Sequence, residues 1–211
     1  MEAFYEELCK LITEEGSVLR EEPMKNHTTF RVGGPAEYFV TVHTTTELQE
    51  VIRLCNRREV PWFIVGNGSN LLVSDKGVRG VVLRLAGEFL QCEIKEDMFQ
   101  GDAVAVAGGG MLLSAFAMQL AKKGFSGFEF AAGIPGSVGG AVMMNAGAYG
   151  GEIKDCITKA EIVTADGECK VFTAEDLELS YRHSILTEIK GIVTKAWFSF
   201  PIGSKIGRAH V

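Results

Sequence analysis

The sequence predicts an α+β protein with more strands than helices, and three observations lead there. Short runs rich in β-branched and aromatic residues recur at 36–42, 61–65, 80–85, 103–107, 160–164, 170–173 and 192–200, several of them bounded by Gly, Asn or Asp. Three longer segments carry apolar side chains at helical spacing. Glycine takes 25 of the 211 positions, where an average chain of this length has about 15. There is no Gly-X-Y period and there are only 5 prolines, so collagen-like and proline-rich disordered readings fall away.

Each element has its own reason. Phe4, Leu8, Leu11 and Ile12 share a helical face and Gly16 supplies a stop, so residues 1–22 read as a peripheral N-terminal helix. Residues 26–35 (NHTTFRVGGP) are polar and turn-rich, and 36–42 (AEYFVTV) read as a strand. Thr44 and Glu47 have capping-box spacing ahead of the stripe Leu48, Val51, Ile52 and Cys55. With the buried strand 61–65, residues 36–65 form a β-α-β unit. Strands at 80–85 and 103–107 follow. Gly108 to Gly110 then lead into a helix with the face Leu113, Phe116, Ala117 and Leu120, ended by Gly124. Asp166-Gly167 between two strand-like runs predicts a hairpin, residues 173–179 a short helix, and 192–200 a strand. Residues 203–211 continue no pattern, and the expectation is a chain cut off there with a foreign or unpatterned tail.

Bulk chemistry narrows the function. With 27 acidic and 21 basic side chains the formal charge is −6, which argues against a protein that holds nucleic-acid phosphates. Cys9, Cys55, Cys92, Cys156 and Cys169 are odd in number and widely spaced, so neither a disulfide scaffold nor a metal site is expected. The acidic N-terminus lacks signal-peptide features, and no apolar run nears the ~20 residues of a membrane helix. The expectation is a soluble cytoplasmic protein with no nucleic-acid or membrane partner and an oligomeric state that the sequence does not give.

Three segments are candidate sites. Residues 66–70 (GNGSN) follow a strand and begin as G-x-G-x-x, with Glu88 standing 22 residues after Gly66. A Rossmann fingerprint fails there, because Leu71 stands where the third glycine belongs and 71–77 leave no room for a helix. Gly66, Asn67, Gly68, Ser69 and Asn70 form either a nest of N–H groups for phosphate oxygens or an ordinary tight turn. Residues 131–147 (AAGIPGSVGGAVMMNAG) allow backbone to approach a planar ligand, or form a close-packed small-residue helix between layers. In 180–184 (SYRHS), Arg182 offers a fork for a carboxylate, or is a surface arginine beside Glu175, Asp176 and Glu178. His27, His43 and His183 lack a metal-ligand context, and Tyr149 is either a ring wall or a packing residue.

Taken together, 26–34 (NHTTFRVGG), 65–73 (VGNGSNLLV), 127–151 (GFEFAAGIPGSVGGAVMMNAGAYGG) and 180–184 resemble, in order, the UDP-N-acetylenolpyruvoylglucosamine reductase family of bacterial cell-wall flavoproteins. The resemblance implies a two-subdomain FAD-binding module of the vanillyl-alcohol-oxidase/PCMH type, with subdomains at 23–85 and 86–200, a tail at 201–211 and the substrate domain missing. It implies that NADPH reduces FAD, which then reduces UDP-N-acetylglucosamine enolpyruvate to UDP-N-acetylmuramate for peptidoglycan synthesis. Gly66, Asn67, Gly68, Ser69 and Asn70 are then expected at the FAD pyrophosphate. Gly133, Ile134, Pro135, Gly136, Ser137, Gly139, Gly140, Asn145 and Gly147 are expected at the flavin wall. Tyr181 and Arg182 are expected at the substrate, Arg182 matching the family's catalytic arginine.

The family's proton-donor serine lies in a Gly-Ser-x-Phe-x-Asn-Pro motif. Gly203-Ser204 begins that motif but Lys205 and its successors depart from it, so the role is not carried to Ser204. The chain alone is expected to bind FAD and to reduce substrate poorly or not at all. Two other readings stay open: an FAD-linked alcohol or sugar oxidase of the same fold, and a non-catalytic FAD-binding module.

Overall fold

The computed structural model describes residues 2–97 and 102–201; the tail at 203–211, with Ser204, lies outside them. Two main sheets carry the fold. The first combines β1 (Val18–Pro23), β2 (Pro35–Val42), β3 (Trp62–Val65) and β4 (Val78–Leu85) in the order β1-β2-β4-β3. Its β2, β4 and β3 are parallel and β1 is antiparallel to β2. The β-α-β unit over 36–65 is therefore present, with β4 inserted between its two strands. Its crossover helix, α2 (Thr45–Arg57), packs Leu48, Val51 and Ile52 onto Val40, Val81 and Leu83 together with Leu8 of α1 (Glu2–Leu11). Phe39, Val65 and Val82 point to the opposite face, under Met24 and Val73.

The second sheet is antiparallel, in the order β10-β9-β11-β6-β5, from β5 (Cys92–Asp97), β6 (Asp102–Gly108), β9 (Ile157–Val163), β10 (Cys169–Thr173) and β11 (Ile192–Pro201). Between β6 and β9 the chain forms α3 (Leu113–Lys122), α4 (Val138–Met143) and a two-residue pair, β7 (Gly147–Ala148) with β8 (Gly151–Glu152). A last helical turn, α5 (Leu186–Ile189), precedes β11. The core of this half is aromatic: Phe116, Phe128, Phe198 and Phe200 meet through edge-on, tilted and stacked contacts.

The two sheets are tied at the hairpin that Asp166-Gly167 turns. Gln49 Nε2 and Arg53 Nη2 of α2 donate to the Gly167 carbonyl at 2.8 and 2.9 Å, and Asn56 Nδ2 donates to the Ala165 carbonyl at 2.8 Å. Val163 and Ile192 of the second sheet join the apolar core of the first.

Three sequence expectations need correction, and one strand was missed. Residues 1–22 are not one helix, because Val18–Pro23 is an edge strand whose Leu19, Arg20 and Glu21 are exposed; its charged side chains mask strand alternation. β5 was hidden for the same reason, as a charged edge strand. Residues 174–178 form turns instead of a helix. Thr173 and Asp176 bond reciprocally there, and Glu178 takes φ of 48°, which stops helical propagation.

The capping box at Thr44 is only half made. Thr44 accepts from Glu47 N, but the Glu47 carboxylate turns to His43 N at 2.7 Å, Thr13 N at 3.1 Å and Thr13 Oγ1 at 2.7 Å. Burial alone would raise the pKa of this carboxyl, but these donors outweigh it and hold the pKa below the usual carboxylate value. The ionised form therefore stabilises the fold above the unfolded-state pKa, and that contribution is lost as pH falls through the lower folded-state value. Glu47→Gln is expected to lower stability at neutral pH by about 1–2 kcal/mol. The gap to the parent should close on acidification below the ordinary carboxylate range. Urea unfolding at several pH values checks both, and a gap independent of pH would contradict the assignment.

Candidate functional site

The parallel strands β2, β4 and β3 end along one side of the first sheet, and their carboxyl ends are where an open parallel sheet offers a crevice. Thr41, Ile64, Val65, Arg84, Leu85 and Ala86 from those ends line a cleft of about 660 Å³. The opposite wall comes from the loop after β6 (Gly109, Gly110, Met111 and Leu112), from α4 (Ser137, Gly139, Gly140 and Met143) and from Ile192 and Val193 of β11. A second, polar cavity of about 340 Å³ is lined by Asn26, His27, Thr28, Thr29 and Arg31. The two share Val65, Gly66, Asn67 and Arg84.

The two glycine-rich segments meet at this cleft. Ser69 Oγ donates to the Pro135 carbonyl at 2.5 Å, and a Cβ built on Gly66 would stand 2.5 Å from Ser137 Oγ. Ser137 is buried and caps α4 by accepting from Gly140 N at 3.2 Å. Residues 138–143 are thus the close-packed small-residue helix that composition allowed. Residues 66–70 form a turn whose free amides make up the candidate nest. Gly68 takes φ of 64°, and the N–H groups of Asn67, Gly68, Ser69 and Asn70 have no partner within the chain among the described residues. Unpaired amides suit phosphate oxygens.

Of the fourteen residues expected to hold cofactor, Gly66, Asn67, Ser137, Gly139 and Gly140 line the cleft. Gly68, Ser69, Asn70, Pro135 and Gly136 belong to the two loops that build it, and Ile134 packs against the aromatic core. Gly133 is exposed, with nothing within 4 Å of a built Cβ. Asn145 is committed inside the fold. Its Nδ2 donates to Glu152 Oε2 at 2.8 Å and to the Ser180 carbonyl at 3.0 Å, and its Oδ1 accepts from Lys154 N at 2.9 Å. Gly147 pairs with Glu152 in the small β7–β8 ladder. Neither lines the cleft; both shape the segment behind it.

Sequence reasoning missed the loop after β6. A Cβ on Gly109 would fall 1.9 Å from the Val193 carbonyl, while Gly109 N donates to the Thr194 carbonyl and its own carbonyl accepts from Gly139 N, each at 2.8 Å. The signal was the triple glycine before α3, read only as the lead into a helix. Arg84, Thr41 and Leu90 were missed too, since strand-end and loop residues carry no local mark.

Tyr181 and Arg182 occupy the tight turn closed by two bonds between Ser180 and His183. Arg182 takes φ of 55°, and both side chains are exposed. The turn is held to α4, because Ser184 Oγ donates to the Met143 carbonyl at 2.6 Å and Asn145 holds Ser180. Neither Tyr181 nor Arg182 lines the cleft, so the structure presents them beside it on a braced turn. Tyr149 is almost fully exposed, which removes the packing role. His27 is paired with Glu22 at 2.9 Å and stacked on Phe39. Burial pushes the Cys55 and Cys156 thiols up to about 12, which makes both unreactive. Among the described residues no group of three or more His, Cys, Asp or Glu is placed to hold a metal. No helix among them is long and apolar enough to cross a membrane.

Two sheets with a bare-backbone cleft between them, one end apolar and the other rich in donors, define a dinucleotide-binding module. The chain belongs to the FAD binding domain family, whose model matches residues 36–173. The chain is 48% identical over 206 residues to the UDP-N-acetylenolpyruvoylglucosamine reductase of Lachnoclostridium phytofermentans, covering 95% of this chain and 64% of that one. It is 48% identical over 187 residues to the reductase of the same name from Agathobacter rectalis, covering 86% and 59%. The crystal structure of UDP-N-acetylenolpyruvylglucosamine reductase from Thermus caldophilus matches with TM-score 0.70 and 39% identity, over 87% of this chain and 61% of that one. p-Cresol methylhydroxylase, at 18% identity and TM-score 0.66 over 95% of this chain and 43% of its own, shares the fold. The expected VAO/PCMH-type fold is therefore present, and the chain spans 59% to 64% of the length of those two curated relatives.

Proposed function

We propose that this chain holds FAD in an NADPH-dependent reductase that converts UDP-N-acetylglucosamine enolpyruvate to UDP-N-acetylmuramate, in the cytoplasm and for peptidoglycan synthesis. The observation that carries the reading is the 48% identity over 206 residues to a reductase of that name. The cleft supports it on chemical grounds: bare backbone where a ring system would lie, and unpaired amides where phosphates would lie. When bound, FAD supplies a two-electron carrier between the nicotinamide and the enolpyruvyl double bond.

The chain's own residues bind and orient. Asn67 and the amides of residues 67–70 hold phosphate oxygens. Ser137 fixes the start of α4, and Gly139 and Gly140 leave the wall flat. Arg182 receives the substrate carboxylate, where reduction builds enolate-like charge that a fixed guanidinium stabilises more than it does the ground state. Its turn is braced by Ser184 and Asn145, so the backbone that carries the fork is fixed before substrate arrives. Tyr181 flanks the same substrate.

The test is a flavin spectrum followed by anaerobic stopped-flow oxidation of the reduced protein by substrate, in the complete reading frame. Arg182→Ala is expected to retain FAD and to lose at least 100-fold in that oxidation rate, about 3 kcal/mol of transition-state stabilisation. An unchanged rate rejects the role of Arg182. Rapid reaction with oxygen and no NADPH turnover would instead favour an oxidase.

A further inference from the structure

We propose that the polar cavity beside the cleft seats the diphosphate of the dinucleotide, and that Arg84 is the residue that neutralises it. The inference rests on the FAD reading above and adds a residue and a charge requirement to it. Arg84 stands near the carboxyl end of β4, in register with Thr41 on one side and Val65 on the other. Its neighbours Leu83 and Leu85 are buried while its own side chain is exposed, so the guanidinium leaves the central strand at the crevice. Arg84 lines both cavities, and its guanidinium has no hydrogen bond or ion pair among the described residues.

The surroundings select an anion. In a chain with 27 acidic side chains, no carboxylate among the described residues lines either cavity. Glu22, which contacts two of the polar cavity's lining residues, is spent on Asn26 Nδ2 at 3.1 Å and His27 Nε2 at 2.9 Å. Arg31 lines the polar cavity, and its guanidinium is likewise without a partner among the described residues. A phosphodiester-linked diphosphate carries two negative charges at neutral pH, matching two free guanidinium groups and the nest of residues 67–70. Arg84 has the larger role of the two, because it faces the junction where a ligand spanning both cavities must pass.

The experiment titrates the flavin-free protein with FAD and with riboflavin, which lacks the diphosphate, for the parent, Arg84→Met and Arg84→Lys. The expected result is at least a 10-fold loss of FAD affinity in Arg84→Met and a flatter dependence on salt. Arg84→Lys should recover part of the loss, and riboflavin affinity should be equal in all three. FAD affinity within twofold of the parent at unchanged salt slope overturns the inference and leaves the FAD reading standing. Equal losses for FAD and riboflavin also overturn it, since they mean that Arg84 shapes the cleft. A parent protein that takes up no FAD overturns the reading beneath it, and the inference with it.

Discussion

Gly68→Val is expected to abolish FAD retention, with a fall in affinity of 100-fold or more. The reason is geometric. Gly68 takes φ of 64°, a region that β-branched residues avoid. A Cβ there would stand 1.9 Å from the His27 carbonyl oxygen and 2.9 Å from Thr28 Cα. Those atoms are backbone and cannot swing aside, so residues 27–29 must move. His27, Thr28 and Thr29 wall the polar cavity, and Thr29 N donates to the Gly68 carbonyl at 3.1 Å, so the nest and the cavity distort together. The damage comes through the loop behind the nest and not from a side chain occupying the phosphate position.

Strain of this kind also destabilises the fold by about 1–3 kcal/mol. The ratio of flavin to protein absorbance after purification, read beside the thermal midpoint, separates lost binding from lost folding. Gly133→Ala is the control: it lies in the other glycine segment, has no positive φ and meets nothing within 4 Å, so FAD retention should stay within twofold. Stoichiometric flavin in purified Gly68→Val would refute the account.

That contrast shows what was legible in the sequence. Residue type and local spacing announced the loops at 66–70 and 131–147, because Gly, Asn and Ser in such density have few uses outside turns and ligand contacts. Strands with one buried face were readable from alternation, and α2 from its stripe and from Thr44. Whether a glycine faces ligand, backbone or solvent depends on partners far along the chain. Gly109 is required by the Val193 carbonyl and Gly68 by the His27 carbonyl, and no window of sequence contains both members of either pair. Asn145 looked like a ring-wall residue and is consumed by Glu152, Ser180 and Lys154. Edge strands were unreadable because solubility demands charge on them, which erases the period-two signal in β1 and β5.

Phe198→Ala should be the most destabilising of these substitutions, with a loss of about 3–5 kcal/mol. Phe198 is fully buried, with ring centroids 5.3 Å from Phe116 and 5.4 Å from Phe128. Truncation removes its share of three ring contacts and leaves a hole that neighbours fixed on α3 and β11 cannot fill. The same strand carries Ile192 and Val193 into the cleft, and the Thr194 carbonyl that holds Gly109. A register shift in the β9–β11 pairing falls between Val193 and Lys195, separating that end from the aromatic end. The cavity at Phe198 should therefore lower stability without moving the cleft. Urea unfolding with and without saturating FAD should show the same loss in both series, because a ligand that binds only the native state adds an equal increment to each. A loss below about 1 kcal/mol would mean that the aromatic cluster collapses around the gap. A 10-fold drop in FAD affinity of the folded variant would mean that β11 transmits core packing to the cleft, and that the shift at Val193 does not isolate the two.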